Sequence, residues 1–288
     1  MKKKLFKVSM VLIIIFSAGI SIMANPFMRL NSSLKQEEKK VRYLDGVFEK
    51  VNIQSDIVFG KSVNEKGENE TLKLDIYSPD GDKLTNRPVI VWIHGGGFTF
   101  GNDKTQSYIV EMANRFTRKG YVGISVDYRL RAKPKDNLIG TISDAVEDAL
   151  KALDWLRQNS YSLKVDTSKI IVAGGSAGGI LGSNLCLSET FASNSDKSGI
   201  IGFVNLWGSP GANWGEMNIG RNAPPTIIVH GTEDASVPYG NSVALIEKLT
   251  TAGVRNELVT IEGAGHTPVK HKDDFEKKIA KFLYEIIK

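Results

Sequence analysis

Along most of the chain, short apolar runs alternate with longer stretches in which apolar positions recur every three or four residues. The short runs lie at residues 72–77, 89–93, 121–126, 169–173, 202–206, 226–229 and 257–261. Several are apolar at consecutive positions, which is what a strand covered on both faces requires. The longer stretches predict helices at about 104–119, 141–159, 177–190, 240–252 and 273–287. In the second of these, Ile142, Val146, Leu150, Leu153 and Leu156 fall on one face. Strand–helix alternation of this kind predicts an α/β domain, a mostly parallel sheet with helices on both sides. Pro79-Asp80-Gly81 and Pro224-Pro225 mark turns.

The first 24 residues depart from that pattern. Lys2, Lys3, Lys4 and Lys7 precede an uninterrupted apolar run over residues 8–23, which ends at Ala24-Asn25-Pro26. This predicts a signal peptide over 1–24 and hence a secreted, extracytoplasmic protein. Ile22, three residues before a cut after Ala24, is not small, so an uncleaved membrane tether through residues 5–23 is the alternative. Residues 25–52 are polar and predict a linker, leaving 53–288 as the catalytic domain.

Charge narrows the partners. The 288 residues carry a net +5, but without those four lysines 33 basic residues face 32 acidic ones. No basic patch remains for a nucleic acid. A single cysteine, Cys186, permits no internal disulfide and no thiolate metal centre, and it reads as a core residue.

Two glycine-rich turns carry the chemistry. Gly174, Ser176 and Gly178 form a Gly-x-Ser-x-Gly at the end of a buried run and the start of a helix, where a sharp turn would lift the serine above the sheet. The Ala177 amide at that helix start faces the site of attack. His94-Gly-Gly-Gly-Phe98 follows the run at 89–93, and without Cβ atoms its amides can point at a developing oxyanion. A phosphate-cradling loop would place Lys-Ser/Thr beside the last glycine, whereas Phe98-Thr-Phe-Gly101 follows.

A serine nucleophile needs a base, and the base needs a carboxylate to fix its tautomer. His94 belongs to the glycine loop, His230 closes a strand in a buried structural role, and His271 lies in a lysine-rich surface stretch. His266, in a loop after the last strand, is left as the base. Asp234, in the segment following His230, is preferred to Glu233 as the acid. The chain order 176, 234, 266 is the one expected at successive strand ends of an α/β-hydrolase.

Together HGGGF (94–98), VDYRL (126–130), GGSAGG (174–179), HGTEDASVP (230–238) and GAGH (263–266) resemble the α/β-hydrolase esterases of the hormone-sensitive-lipase and carboxylesterase type. LKLDIYSP (72–79) is similar to the opening strand of bacterial acetylxylan and feruloyl esterases. The resemblance, over about residues 50–288, implies an α/β-hydrolase fold with a central eight-stranded, mostly parallel sheet and a small or minimal cap. It implies Ser176 as nucleophile, Asp234 and His266 as its partners, and the amides of Gly96, Gly97 and Ala177 as oxyanion hole, without metal or cofactor. Where those families have alanine-proline-glutamate after the arginine-leucine, this chain has Arg131-Ala-Lys-Pro134, so substrate entry differs. The short, polar stretch 207–222 leaves little room for a lid, which favours small or soluble esters such as acetylated carbohydrates. An exopeptidase or formamidase on the same fold, or an inactive binding protein, is the alternative. Neither the alcohol nor an oligomeric state is written in the sequence.

Overall fold

The structure, a computed structural model, describes residues 39–189, 195–211 and 217–288. The segment read as a leader or tether, and residues 25–38 of the predicted linker, lie outside the described residues. Among the described residues no helix is long and apolar enough to cross a membrane.

Eight strands form one sheet: β1 (Val51–Val63), β2 (Asn69–Pro79), β3 (Arg87–Ile93), β4 (Val122–Val126), β5 (Val165–Gly175), β6 (Ile200–Leu206), β7 (Thr226–Gly231) and β8 (Asn256–Ile261). Their spatial order is β1-β2-β4-β3-β5-β6-β7-β8. The pairs β1–β2 and β2–β4 are antiparallel and every other pair is parallel. Helices α1 (Ser107–Arg118), α2 (Leu138–Gln158), α3 (Ala177–Leu187), α4 (Gly240–Thr251) and α5 (Lys272–Ile287) cover the sheet.

Alternation along the strands divides the core in two. Val89, Val91 and Ile93 join one apolar cluster with α2, α3 and α4, while Ile90 and Trp92 join the other with α1 and α5. All seven residues of β3 are buried, as its unbroken apolar run requires. On α2, Ile142, Val146, Leu153 and Leu156 are in the first cluster and Leu150 packs against it. Cys186 is a buried member of the same cluster.

Sequence periodicity did not predict β1. It is an edge strand with Ile53, Val58 and Val63 exposed, and register breaks at Gln54/Ile57 and Val58/Gly60 erase the two-residue alternation. Polar residues just before it are also tied down. Arg42 pairs with Asp82 at 2.5 Å, and the amides of Tyr43, Val47 and Phe48 donate to carbonyls of Lys119 and Arg118.

The strand order reverses at β3. After β3 the chain moves outward to β4, then crosses back so that β5 pairs with the other side of β3. The connections leaving β3 and β5 therefore diverge, opening a crevice at the carboxyl ends of these two strands. Ile93 of β3 lies opposite Gly174 of β5, so the His94 loop and the Ser176 turn begin side by side at that crevice.

Candidate active site

Ser176 occupies the turn between β5 and α3 with φ 54° and ψ −117°, a conformation that costs an L-residue about 1–3 kcal/mol. The turn is made tight by its flanking glycines. A Cβ on Gly174 would sit 2.5 Å from the Gly178 carbonyl oxygen, and one on Gly178 would sit 2.2 Å from that of Ile93. Only glycine lets α3 start this close to β3 and β5.

Three side chains predicted from separate strand ends converge here. The Ser176 hydroxyl donates to His266 Nε2 at 2.9 Å, and His266 Nδ1 donates to Asp234 Oδ2 at 2.7 Å. His266 comes from the loop after β8 and is a quarter exposed, whereas Asp234, from the loop after β7, is buried. Glu233 is exposed, and the carboxylate that meets His266 is that of Asp234. A hydroxyl paired in this way can pass its proton to the imidazole as its oxygen attacks an electrophile.

Asp234 is held from several directions. Its Oδ1 accepts the amides of Ser236 at 2.8 Å and Val237 at 2.9 Å. Burial pushes its carboxyl up, but the hydrogen bonds from His266, Val237 and Ser236 outweigh this and hold it below the usual carboxylate range. His230 is buried, as predicted, but it also touches this carboxylate. Its Nε2 lies 3.0 Å from Asp234 Oδ2 and 2.9 Å from the Val237 carbonyl, both acceptors, so Nε2 carries the proton and Nδ1 accepts from the Ser242 hydroxyl at 2.6 Å. Burial lowers the His230 pKa and keeps that ring neutral. No pattern in the sequence marked this contact beyond the four-residue spacing from His230 to Asp234.

The glycine loop after β3 faces Ser176. His94 Nδ1 donates to the Gly95 carbonyl at 2.8 Å, and its ring stacks on Tyr128 at 4.3 Å. Burial pushes the His94 imidazole down to about 4, so it serves the loop as a neutral donor. Tyr128 Oη donates to the His94 carbonyl at 2.9 Å, and the Gly95 amide is taken by Gln106 Oε1 at 2.8 Å. Gln106 is a second contributor that sequence reasoning missed. The amides of Gly96, Gly97 and Ala177 have no protein acceptor among the described residues.

A cavity of about 330 Å³ opens beside Ser176. Its wall is largely apolar, from Phe98, Pro134, Leu138, Ile180 and Val237, and Lys135 is its one charged residue among the described residues. Pro134 closes the segment that departs from the resembled families, and Lys135 follows it. That segment is fixed by the Arg131–Asp144 ion pair and by the Arg131 amide on the Phe98 carbonyl at 2.9 Å.

Comparison with known proteins agrees with this architecture. The BD-FAE family model matches residues 74–200, and the Prolyl oligopeptidase family model matches residues 209–288. The structure of the esterase Est2 from Thermogutta terrifontis superposes with a TM-score of 0.63 at 29% identity, covering 79% of this chain and 92% of that one. The chain has the α/β-hydrolase fold. Among curated relatives, Esterase LipC of Mycobacterium tuberculosis is 24% identical over 69% of the chain. A probable isoprenylcysteine α-carbonyl methylesterase of Oryza sativa subsp. japonica is 24% identical over 77%. This chain spans 58% and 60% of the lengths of those two proteins.

Proposed function

We propose that this hydrolase cleaves carboxylic esters of small or soluble substrates through an acyl-enzyme on Ser176. The observation that carries the proposal is the unbroken hydrogen-bonded series from the Ser176 hydroxyl through His266 to Asp234, beside three unclaimed amides. As Ser176 Oγ bonds to the ester carbonyl carbon, its proton moves to His266 Nε2 and the carbonyl π electrons move onto oxygen. The amides of Gly96, Gly97 and Ala177 receive that oxyanion, and each such donor is worth about 3 kcal/mol in related chemistry. When the carbonyl re-forms, the bond to the alcohol oxygen breaks and the alcohol leaves with the proton from His266. Water, deprotonated by the same imidazole, then releases the acid. Asp234 holds the tautomer that leaves Nε2 free to accept, and it offsets the charge of the imidazolium.

The acyl group we assign is short, on the order of propionyl or butyryl. A cavity of about 330 Å³ with an apolar wall supports this, and solved forms of Thermogutta terrifontis Est2, at 28–29% identity, carry propionate or butyrate. The glycine loop supports placement with the hormone-sensitive-lipase and carboxylesterase type, and acetylated ahead of feruloylated carbohydrates follow as natural substrates to try. The apolar run at residues 8–23 supports an extracytoplasmic location, to be checked by mass spectrometry of the protein isolated from its host.

Initial rates on p-nitrophenyl esters of increasing chain length test the assignment. Turnover should peak at two to four acyl carbons, about the cavity's reach, and should vanish in Ser176→Ala; a rate unchanged in that variant removes Ser176 from the mechanism. The match of residues 209–288 to the Prolyl oligopeptidase family supports one rival, an aminoacyl amidase. Higher kcat/KM on aminoacyl p-nitroanilides than on the esters would favour it.

A further inference from the structure

The amides of Gly96 and Gly97 can serve an oxyanion only if their peptide planes are turned the right way. In a trans peptide the N–H points opposite to the preceding C=O, so whatever holds a carbonyl also aims the amide that follows it. The Gly95 carbonyl is held by His94 Nδ1, which aims the Gly96 amide away from that ring. The Gly96 carbonyl is held elsewhere. It accepts the Thr99 hydroxyl at 2.8 Å, the Thr99 amide at 3.1 Å and the Asn102 side-chain amide at 3.2 Å. Asn102 Nδ2 also donates to the Thr99 carbonyl at 3.0 Å, which closes the small loop from Gly96 to Asn102 upon itself.

This side chain lies directly on the glycine. Gly96 has φ 98°, and a Cβ there would fall 2.0 Å from Asn102 Cγ. Glycine at 96 thus answers both the positive φ and the space that Asn102 fills. Both ends of the Asn102 segment are anchored to the body. Phe98 is buried in the core, and its carbonyl accepts the Arg131 amide. Two residues after Asn102, the buried Lys104 donates its amide to Asp127 at 2.9 Å and places its ammonium 3.3 Å from Asp75 on β2 and 3.1 Å from Asp56 on β1.

We propose that Asn102 is a positioning residue for ester hydrolysis, fixing the Gly96 carbonyl on the outer side of the loop so that the Gly97 amide faces the oxyanion formed at Ser176. This rests on the acyl-enzyme proposal for Ser176. The contribution is preorganisation: a donor already aimed before reaction needs no reorientation as charge develops. Asn102 does not line the cavity, and its side-chain bonds go to the Gly96 and Thr99 carbonyls rather than to Ser176. Its effect passes through one peptide plane and belongs in kcat rather than in substrate binding.

The test uses the full chain and two substitutions. Asn102→Asp keeps the shape but removes the donor and sets a carboxylate against the Gly96 carbonyl, and Asn102→Ala removes both shape and donor. With p-nitrophenyl acetate, both should lower kcat by about tenfold or more with KM within about twofold, as expected for a contact made only in the transition state. Ki for a trifluoromethyl ketone, whose hemiketal adduct with the serine carries an oxyanion, should rise by the same factor as kcat/KM falls. Thr99→Val, which keeps the Asn102 and Thr99 amide bonds, should cost only a few-fold, and it supplies a reading if the Asn102 variants fold poorly. Unchanged kcat in Asn102→Asp at an unchanged melting temperature overturns the proposal, as does a loss confined to KM or an unaltered inhibitor Ki. A Thr99→Val loss in KM alone also counts against it. Wild-type enzyme that hydrolyses no ester, or Ser176→Ala that retains full turnover, would instead reject the acyl-enzyme assignment.

Discussion

Two buried carboxylates in this molecule do different work, and their neighbours explain why. Asp148 on α2 is fully buried and accepts the Arg129 amide at 2.9 Å, Arg129 Nε at 2.8 Å and the Ser62 hydroxyl at 2.5 Å. Asp234 is nearly as buried, with two backbone amides and two imidazoles around it. Guanidinium keeps its proton at any pH a protein meets, so the Asp148 cluster can only be whole or broken. An imidazole can accept a proton on one nitrogen while donating from the other, and one of the two on Asp234 reaches out to the partly buried Ser176 hydroxyl. Chemistry is supported where the partner of a buried carboxylate can relay a proton from a neighbouring hydroxyl. Where the partner is a guanidinium, the same burial fastens β1 to α2 and the chain after β4.

The contrast is open to attack at either end. The largest effect expected is on Asp234→Asn, which should lower kcat by about 10⁴-fold through loss of the reactive tautomer while leaving the fold intact, as read by steady-state kinetics and circular dichroism. Asp148→Ala should do the reverse. It should cost about 3 kcal/mol in urea unfolding, because Arg129 loses its most buried partner, with kcat of the folded fraction changed by no more than about threefold. A large kcat loss there would erase the distinction between the two regions.

Acid should act on both neutral buried histidines. The folded pKa of His94 is depressed to about 4 from an ordinary 6.5, so its contribution is complete above pH 6.5 and is lost as pH falls toward 4. That amounts to about 2 kcal/mol by pH 5, with the sign of the His230 shift adding to it. Urea midpoints followed from pH 7.5 to 5 should therefore decline, and a flat profile would mean that these rings are solvated. The smallest effect belongs to Lys135→Ala. This side chain is exposed at the cavity rim and has no ion pair among the described residues, so kcat/KM on neutral acetates should move by less than about threefold.

Much of this was legible before any coordinates, and the exceptions share a cause. Strands such as β3 and β5 announced themselves because burial on both faces forces apolar residues at consecutive positions. β1 did not, because an exposed edge with two register breaks leaves no period to detect. Ser176, Asp234 and His266 stood out because each sits in a turn whose small or polar residues mark a strand end. Asn102, Gln106 and the contact of His230 with Asp234 were silent. Each acts through a hydrogen bond set by the path of a loop, and a half-buried asparagine or glutamine in a polar stretch looks like any other. Residues 41–50 were silent for a similar reason, since backbone donors and one arginine do much of the fastening and only Tyr43 and Leu44 pack against the core, too few to make a period.

Reaction of the full chain with a fluorophosphonate, followed by mapping of the adduct by peptide mass spectrometry, decides whether Ser176 is the nucleophile. One modified residue is expected, Ser176, with labelling lost in Ser176→Ala and slowed by about 10³-fold or more in His266→Ala. Stoichiometric labelling at another residue, or His266→Ala reacting at the wild-type rate, would contradict it.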